Sequence, residues 1–187
     1  MGVRHQAGVG VLVSGSGTNL QALIDADIPI AAVAANVPGA PALERATLVG
    51  APTGVFSLLE FPDRDARDSA MADWLDSHGV GLVVCAGYMQ LLCPVFLGRF
   101  PGRVVNVHPA LLPAFPGAHA VEEALAAGVT ETGATVHLVD EGIDTGAVLR
   151  QESVVVLPGD TPETLHARIQ AVEHRLLPEV VRELTAA

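Results

Sequence analysis

The sequence contains no lysine. All ten of its basic residues are arginine, set against 21 acidic residues, so the formal net charge is −11 and the pI is about 4.9. The arginines are spread along the chain and form no cluster. A surface of this sign repels phosphate backbones, so the composition argues against a nucleic-acid-binding module.

Long apolar runs are also missing, although half of the residues are hydrophobic and the mean hydropathy is +0.42. No stretch reaches the roughly 18 uninterrupted apolar residues of a membrane helix, so we expect no membrane span. Residues 1–15, MGVRHQAGVGVLVSG, end in a glycine turn instead of a cleavage site. We therefore expect no signal peptide, and a cytoplasmic protein.

Cysteine is scarce, and metal-binding patterns are absent. We expect Cys85 and Cys93, which flank an apolar segment, to be buried free thiols in a reducing compartment. The seven histidines show no HExxH pattern and no paired Cys/His spacing. The sequence therefore predicts no metal site.

Short β-branched runs alternate with amphipathic stretches along the 187 residues, a length that suits one core and one domain, 1–187. This alternation predicts an α/β fold, a doubly wound, mostly parallel sheet with helices on both faces and an antiparallel C-terminal strand pair. We predict strands over 9–13, 28–35, 54–58, 82–85, from 104, over 133–139 and over 148–156. Helices are predicted over 20–24, 40–50, 63–78 (apolar side Ala66, Ala70, Met71, Trp74, Leu75), 94–100, 121–127 and 163–183.

The stretch 104–117, VVNVHPALLPAFPG, carries the strongest chemical signal. Asn106 and His108 lie two residues apart on a strand, so their side chains point to the same face. An amide N–H₂ and an imidazolium together can stabilise a carbonyl carbon that becomes tetrahedral. Pro109, Pro113 and Pro116 predict a stiff loop after the strand. The two residues alone also fit an ordinary strand-end histidine and a turn asparagine.

The loop SGSGTN at residues 14–19 lies between a predicted strand and a predicted helix. Glycine backbone N–H groups and a helix N-terminus are suited to binding a phosphate. The loop lacks the lysine of a P-loop and has Leu20 where a dinucleotide fingerprint has its third glycine, so it indicates neither ATP nor NAD. The same residues also fit a plain tight turn with Thr18 or Asn19 as the helix N-cap.

Three other segments have both a functional and a structural interpretation. Residues 86–92, after the strand at 82–85, fit either a pocket wall for a flat ring or core packing. The loop 140–146 has three acids and two glycines and fits a solvated turn, or a carboxylate that keeps His108 charged and oriented, for which Asp144 is best placed. Glu173 and His174 fit a solvated helix face.

Together, the segments GSGTNLQALID, CAGYMQLL, NVHPALLPAFPG, VHLVDEGIDTG and VEHRLLPEV resemble, in order and spacing, the phosphoribosylglycinamide formyltransferases of purine synthesis. The resemblance covers nearly the whole chain, and its most diagnostic part is the set Asn106, His108 and Asp144. It implies transfer of a formyl group from 10-formyltetrahydrofolate, as co-substrate, to the amine of glycinamide ribonucleotide. No metal is implied.

The resemblance also implies a role for each site residue. Asn106 and protonated His108 hold the oxyanion, Asp144 keeps His108 charged, and a bound water assists proton transfer. The ribonucleotide-binding residues are Gly17, Thr18, Asn19 and Glu173. The folate-binding residues are Arg64, Met89, Gln90, Leu91, Leu92, Asn106, Val139 and Asp140.

The chain departs from many relatives at Ala110 and Ala114 of the proline loop and at Gln90, where polar or basic residues are common. We expect its early C-terminal end to reflect a truncated tail, and we expect a monomer or homodimer. Three other functions remain for comparison. A formyltetrahydrofolate hydrolase needs no nucleotide phosphate loop, a methionyl-tRNA formyltransferase needs a tRNA-binding domain, and a non-catalytic nucleotide-binding module needs none of Asn106, His108 and Asp144.

Overall fold

The structure, a computed structural model, describes residues 8–186 and contains one seven-stranded sheet. The strands are β1 (Gly8–Val13), β2 (Ile30–Ala35), β3 (Thr53–Val55), β4 (Val80–Cys85), β5 (Val104–His108), β6 (Glu131–Leu138) and β7 (Val148–Val155). Their order is β3-β2-β1-β4-β5-β6-β7. The first five strands pair in parallel, whereas β6 runs antiparallel to both β5 and β7.

Six helices cover the two faces of this sheet. They are α1 (Thr18–Asp25), α2 (Pro41–Leu48), α3 (Arg64–Ser77), α4 (Pro94–Leu97), α5 (Ala120–Ala126) and α6 (Pro162–Ala186), with a short 3₁₀ helix at Leu58–Glu60. Apolar side chains of α1, α2, α5 and α6 pack on one face, and those of α3 and α4 pack on the other. The strands alternate their side chains between these two cores, as a doubly wound sheet requires.

The strand order reverses direction between β1 and β4. The chain moves outward from β1 through β2 to β3 and then returns to place β4 on the other side of β1. In open parallel sheets, ligands bind at the carboxyl ends of the strands at such a reversal. The glycine loop follows β1, residues 86–92 follow β4, and the Asn106–His108 pair ends β5, so all three segments lie at this edge.

The predicted fold class and the order of elements are confirmed, with differences at the element ends. The third strand ends at Val55, before the 3₁₀ helix at residues 58–60, and α6 continues to Ala186, past the predicted end at residue 183. The predicted apolar side of α3 is partly wrong, because Arg67 and Asp68 are buried with Met71, Ala72 and Leu75.

The signal-peptide prediction rests partly on residues 1–7, which lie outside the described residues. Within 8–186, no helix combines the length and apolar character needed to cross a membrane.

Candidate active site

A cavity of about 340 Å³ opens at the carboxyl end of β4 and β5. It lies between residues 87–92 on one side and the loop 139–144 on the other. Its lining residues are Cys85, Gly87, Tyr88, Met89, Gln90, Leu91, Leu92, Asn106, Val107, His108, Pro109, Gly117, Ala118, His137, Val139, Asp140, Glu141, Gly142, Ile143 and Asp144. The cavity has the size of a small-molecule site, and the residues with a proposed catalytic role all lie on its wall.

Asp144 lies at the centre of the polar groups in this cavity. Its Oδ2 atom is 3.3 Å from His108 Nδ1 and accepts a hydrogen bond of 2.8 Å from the backbone N–H of Gly117. Its Oδ1 atom is 3.4 Å from both Asn106 Nδ2 and His137 Nε2. Burial alone would raise the pKa of Asp144, but the contacts with His137, Gly117 and His108 outweigh it and lower the pKa to about 2. The carboxylate is therefore ionised at any physiological pH.

Both ring nitrogens of His108 face hydrogen-bond acceptors. Nδ1 faces the Asp144 carboxylate, and Nε2 is 2.7 Å from the backbone carbonyl of Phe115 in the proline loop. A neutral imidazole has only one N–H and can satisfy only one of these acceptors. His108 is therefore held from both sides, by the loop that carries Asp144 and by the proline loop.

The backbone around Asp144 shows why this loop contains two glycines. Asp144 has φ of 53°, in the left-handed region that non-glycine residues seldom adopt. A Cβ atom on Gly146 would lie 1.7 Å from the carbonyl oxygen of Leu138, so the loop can close against β6 only with glycine there. The strained residue is the one whose carboxylate meets His108, as is common at functional sites.

His137 is a member of the cluster that sequence reasoning missed. It lies directly opposite Asn106 in the β5–β6 pairing and is 2% exposed. Its Nδ1 is 2.8 Å from the Leu138 carbonyl oxygen, and its Nε2 is 3.1 Å from Asn106 Nδ2 and 3.4 Å from Asp144 Oδ1. The contact between Nε2 and Nδ2 orients the Asn106 amide. The alternation of side chains along β6 was the only sequence signal for His137. The residue that His137 contacts depends on the register between β5 and β6, which this alternation does not determine.

Polar side chains of β6 and β7, as well as prolines, anchor the loop after β5. Thr135 donates from Oγ1 to the Ala110 carbonyl and accepts from the Leu112 backbone N–H, at 2.6 and 3.1 Å. Gln151 donates to the Leu112 carbonyl at 2.7 Å. The peptide bond between Leu112 and Pro113 is cis. Strands β6 and β7 thus fix the loop that supplies Phe115 and Gly117 to the cavity.

The residues with a predicted folate role all lie at this cavity or on its rim. Met89 and Leu91 are 66% and 48% exposed, so these two are not core residues, whereas Leu92 is buried. Gln90, Val139 and Asp140 also line the cavity. Arg64 does not line it but donates from Nη2 to the Leu91 carbonyl at 2.8 Å, which places its guanidinium at the rim.

The residues with a predicted ribonucleotide role cluster at the start of α1. Gly17 is the N-cap with φ of 72°, and no side chain caps the helix, so the interpretation of Thr18 or Asn19 as N-cap is wrong. The first N–H groups of α1 are therefore left for an anion. Asn19 donates from Nδ2 to Glu173 Oε2 at 3.0 Å.

Glu173 is 4% exposed, so the prediction of a solvated helix face is wrong for this residue. Burial raises the pKa of Glu173, and the bond from Asn19 opposes that rise. Sequence periodicity could not reveal this, because a buried carboxylate interrupts the apolar side of α6 that the pattern predicts. A buried carboxylate at the edge of a glycine loop is suited to accepting hydrogen bonds from hydroxyl groups.

A single contact connects the two predicted sites. Ser14, the first residue of the glycine loop after β1, accepts through Oγ a hydrogen bond of 2.8 Å from the backbone N–H of Met89. Arg45, a residue that sequence reasoning missed, donates to the Ser16 carbonyl at 2.8 Å and to Gln21 at 2.9 Å, which places a cation beside the loop. The glycine loop at 14–19 and residues 87–92 are therefore neighbours.

Cys85 and Cys93 are both free and buried, as expected. Burial raises the pKa of the Cys85 thiol to about 12, so this thiol is not a nucleophile at neutral pH. Among residues 8–186, no three His, Cys, Asp or Glu side chains are arranged to hold a metal ion.

Comparisons with known proteins agree with this architecture. A sequence profile described as formyl transferase matches residues 8–181. The phosphoribosylglycinamide formyltransferase of Mycobacterium tuberculosis is 51% identical over 178 residues, which cover 93% of this chain and 83% of the relative. That of Haemophilus influenzae is 42% identical over 183 residues, with 95% and 86% covered.

A solved structure shows the same fold. Glycinamide ribonucleotide transformylase 1 from Symbiobacterium toebii superposes with a TM-score of 0.96 at 44% identity, covering 98% of this chain and 90% of that one. Both the profile match and the identity to full-length relatives extend over nearly the whole sequence. The chain therefore belongs to the formyl transferase family.

Proposed function

We infer that this chain is a phosphoribosylglycinamide formyltransferase. It transfers the formyl group of 10-formyltetrahydrofolate to the amine of glycinamide ribonucleotide and yields formylglycinamide ribonucleotide in purine biosynthesis. The observation that carries this conclusion is the cluster of Asn106, His108 and Asp144, in which Asp144 lies within 3.4 Å of each of the other two, on the wall of a cavity beside a phosphate-binding loop.

The cluster supplies the groups that formyl transfer needs. The amine lone pair forms a bond to the formyl carbon, and the π electrons of the carbonyl move onto its oxygen. The Asn106 amide and the His108 imidazolium donate to this oxyanion, replacing the contacts that they now make with His137 and Phe115. The oxyanion then re-forms the carbonyl, the bond to the folate N10 breaks, and N10 takes up a proton equivalent to the one that the amine loses. Oxyanion donors of this kind are worth about 3–4 kcal/mol each.

The binding residues follow from the two neighbouring sites. We propose that the formyl donor lies against Met89, Gln90, Leu91, Leu92, Val139 and Asp140, with Asn106 at its reacting end and Arg64 at the rim. The ribonucleotide phosphate lies on Gly17, Thr18 and Asn19, and Glu173 accepts hydrogen bonds from its ribose. The exposed apolar surface of Met89 and Leu91 and the uncapped start of α1 support these assignments.

The substrates are small molecules. We also propose that the protein acts in the cytoplasm, as a monomer or homodimer in one domain, and that it binds no nucleic acid. The net charge of −11 supports the last point, since this charge repels phosphate backbones.

A direct test follows the absorbance of 10-formyltetrahydrofolate with and without glycinamide ribonucleotide. We expect turnover that requires the ribonucleotide and falls by at least about 10²-fold in His108→Ala. Folate consumption without the ribonucleotide would indicate a hydrolase instead. Ribonucleotide binding without any reaction would indicate a non-catalytic binding module.

A further inference from the structure

The folate segment, defined as residues 87–93, lies between β4 and α4 and belongs to no helix or strand. Within the described chain, no hydrogen bond between backbone groups holds residues 87–92. Three side-chain contacts hold this backbone instead. Ser14 Oγ accepts from the N–H of Met89, Arg64 donates to the carbonyl of Leu91, and Asp68 Oδ2 accepts from the N–H of Cys93.

These contacts fall at alternate residues, 89, 91 and 93. The contacts hold this backbone at the N–H groups of Met89 and Cys93 and at the carbonyl group of Leu91. Two of the three contacts come from α3, at Arg64 and Asp68, which are about one turn apart on that helix.

Asp68 is the buried member of this support. Its side chain is completely buried, and its two oxygens accept from Cys93 N and Arg67 Nε, both at 2.7 Å. Arg64, in contrast, is exposed to solvent. A charged acceptor in a low-dielectric environment fixes a backbone N–H more firmly than a solvated side chain does.

We propose that Asp68, with Arg67 as its buried counter-ion, is a positioning residue for the formyl donor, because it fixes the backbone of the folate segment through the Cys93 N–H. This inference rests on the function proposed above and adds a residue pair that contacts neither substrate.

Stability alone does not account for this ion pair. Arg67 is completely buried, and its Nη1 and Nη2 atoms, like the hydroxyl of Tyr88, have no partner among the described residues. Burial raises the pKa of Tyr88, and the nearby charge of Arg67 opposes that rise, so the guanidinium lies close to this cavity-lining side chain. Buried ion pairs are often no more stable than apolar replacements, so a pair this incompletely bonded points to a role in placement.

Two neutral double variants separate placement from packing. Arg67→Met with Asp68→Asn removes both charges but keeps an oxygen that accepts from Cys93 N–H. Arg67→Met with Asp68→Leu removes the charges and the acceptor together. We expect the first to keep the KM for 10-formyltetrahydrofolate within about twofold of wild type, and the second to raise it about tenfold. The Kd of tetrahydrofolate, measured by isothermal titration calorimetry, should change in parallel.

The kcat and the KM for glycinamide ribonucleotide should stay within about twofold in both variants, because the ribonucleotide site does not depend on this contact. Asp73→Asn is the matched control. Asp73 lies on the same helix but forms its ion pair with Arg99 in solvent, at 2.5 Å, so its removal should leave every constant unchanged.

Equal folate KM values for the two double variants would overturn the proposal, as would a parallel fall in kcat and rise in both KM values. Should the leucine variant fail to fold, amide hydrogen exchange of Cys93 in the wild type decides the question. We expect strong protection before folate is added, and exchange at the rate of an exposed amide would overturn the proposal. Wild-type protein without transferase activity would refute the proposed function, which is a distinct result.

Discussion

At the scale of single residues, Asp144 connects groups that come from three different segments. It contacts Asn106 and His108 from β5, His137 from β6 and Gly117 from the proline loop. Its pKa of about 2 keeps it ionised wherever the enzyme operates, so the titration of Asp144 does not limit activity near neutral pH. Its negative charge instead stabilises the protonated form of the imidazole that it faces.

Replacement of Asp144 by asparagine tests this electrostatic role. The amide side chain of Asp144→Asn retains an acceptor for the Gly117 N–H but loses the negative charge, so His108 should give up its proton at lower pH. We expect kcat to fall by about 10²–10⁴-fold and the basic limb of the pH–rate profile to move to lower pH. Profiles of kcat between pH 5 and pH 10 measure both effects, with thermal unfolding as the check on folding. A basic limb that stays at its wild-type position would refute this role.

Replacement of Glu173 by glutamine tests the buried carboxylate of α6. Because burial raises the pKa of Glu173, the folded state binds its proton more tightly than the unfolded state does. The wild type should therefore lose stability as the pH rises from 4.5, the pKa of this carboxyl group in the unfolded chain, through its higher pKa in the folded protein. Glutamine keeps an acceptor for Asn19 but cannot ionise. We expect urea unfolding at pH 8 to show the variant more stable by about 1 kcal/mol, with little difference at pH 4.

The same variant should bind the ribonucleotide more weakly. A carboxylate accepts two ribose hydrogen bonds, whereas the amide offers one acceptor, so we expect the KM for glycinamide ribonucleotide to rise about tenfold. Glu179→Gln is the control, because Glu179 lies on the same helix and pairs in solvent with Arg150. A Glu173→Gln protein that is no more stable at pH 8 would show that ionisation of the buried Glu173 carboxyl group does not destabilise the fold.

At the scale of elements, the start of α1 depends on the absence of a side chain at Gly17. Gly17 has φ of 72°, and a Cβ atom there would lie 2.5 Å from the Cβ of Ala42 in α2. Gly17→Ala therefore strains the backbone and pushes α1 away from α2. We expect a loss of about 1–3 kcal/mol in unfolding free energy, together with a raised KM for glycinamide ribonucleotide.

Gly50→Ala is the matched control for this helix start. Gly50 also has a positive φ, 73°, but a Cβ atom there would meet nothing within 4 Å. The Gly50→Ala variant should lose only about 1 kcal/mol of unfolding free energy, from the strained left-handed backbone, and should keep the KM values of both substrates. A Gly17→Ala protein that matched the control in stability and in kinetics would show that the close approach to Ala42 does not position the glycine loop.

The elements also show how far a sequence can predict such a site. Asn106 and His108 could be placed on one face because a strand alternates with a period of two and needs no knowledge of its neighbours. His137 could not be assigned, because its contact with Asn106 depends on the antiparallel register of β5 and β6. The burial of Arg67, Asp68 and Glu173 could not be predicted either, since hydrophobic periodicity assigns charged residues to solvent.

At the scale of the whole molecule, one sheet supports both proposed substrate sites. The glycine loop follows β1, the folate segment follows β4, and the antiparallel turn from β6 to β7 returns the chain over the end of β5 with Asp144. The two hydrophobic cores share every central strand, since alternate residues of β1, β2 and β4 enter opposite cores. Neither core can be exposed without disrupting the strands that carry the other.

We therefore expect the molecule to unfold in one cooperative step. Trp74 is the single tryptophan, and its ring centroid lies 5.6 Å from that of Phe56 on the α3 side of the sheet. Its fluorescence therefore reports on that core. Far-UV circular dichroism reports on helices of both faces. The two signals should give coincident urea transitions, and each substrate at about 100 times its Kd should add about 2.7 kcal/mol to the same transition. Separate transitions would mean that the two cores unfold independently. A substrate that shifted only one of those transitions would bind on the corresponding face, instead of at the shared edge of the sheet.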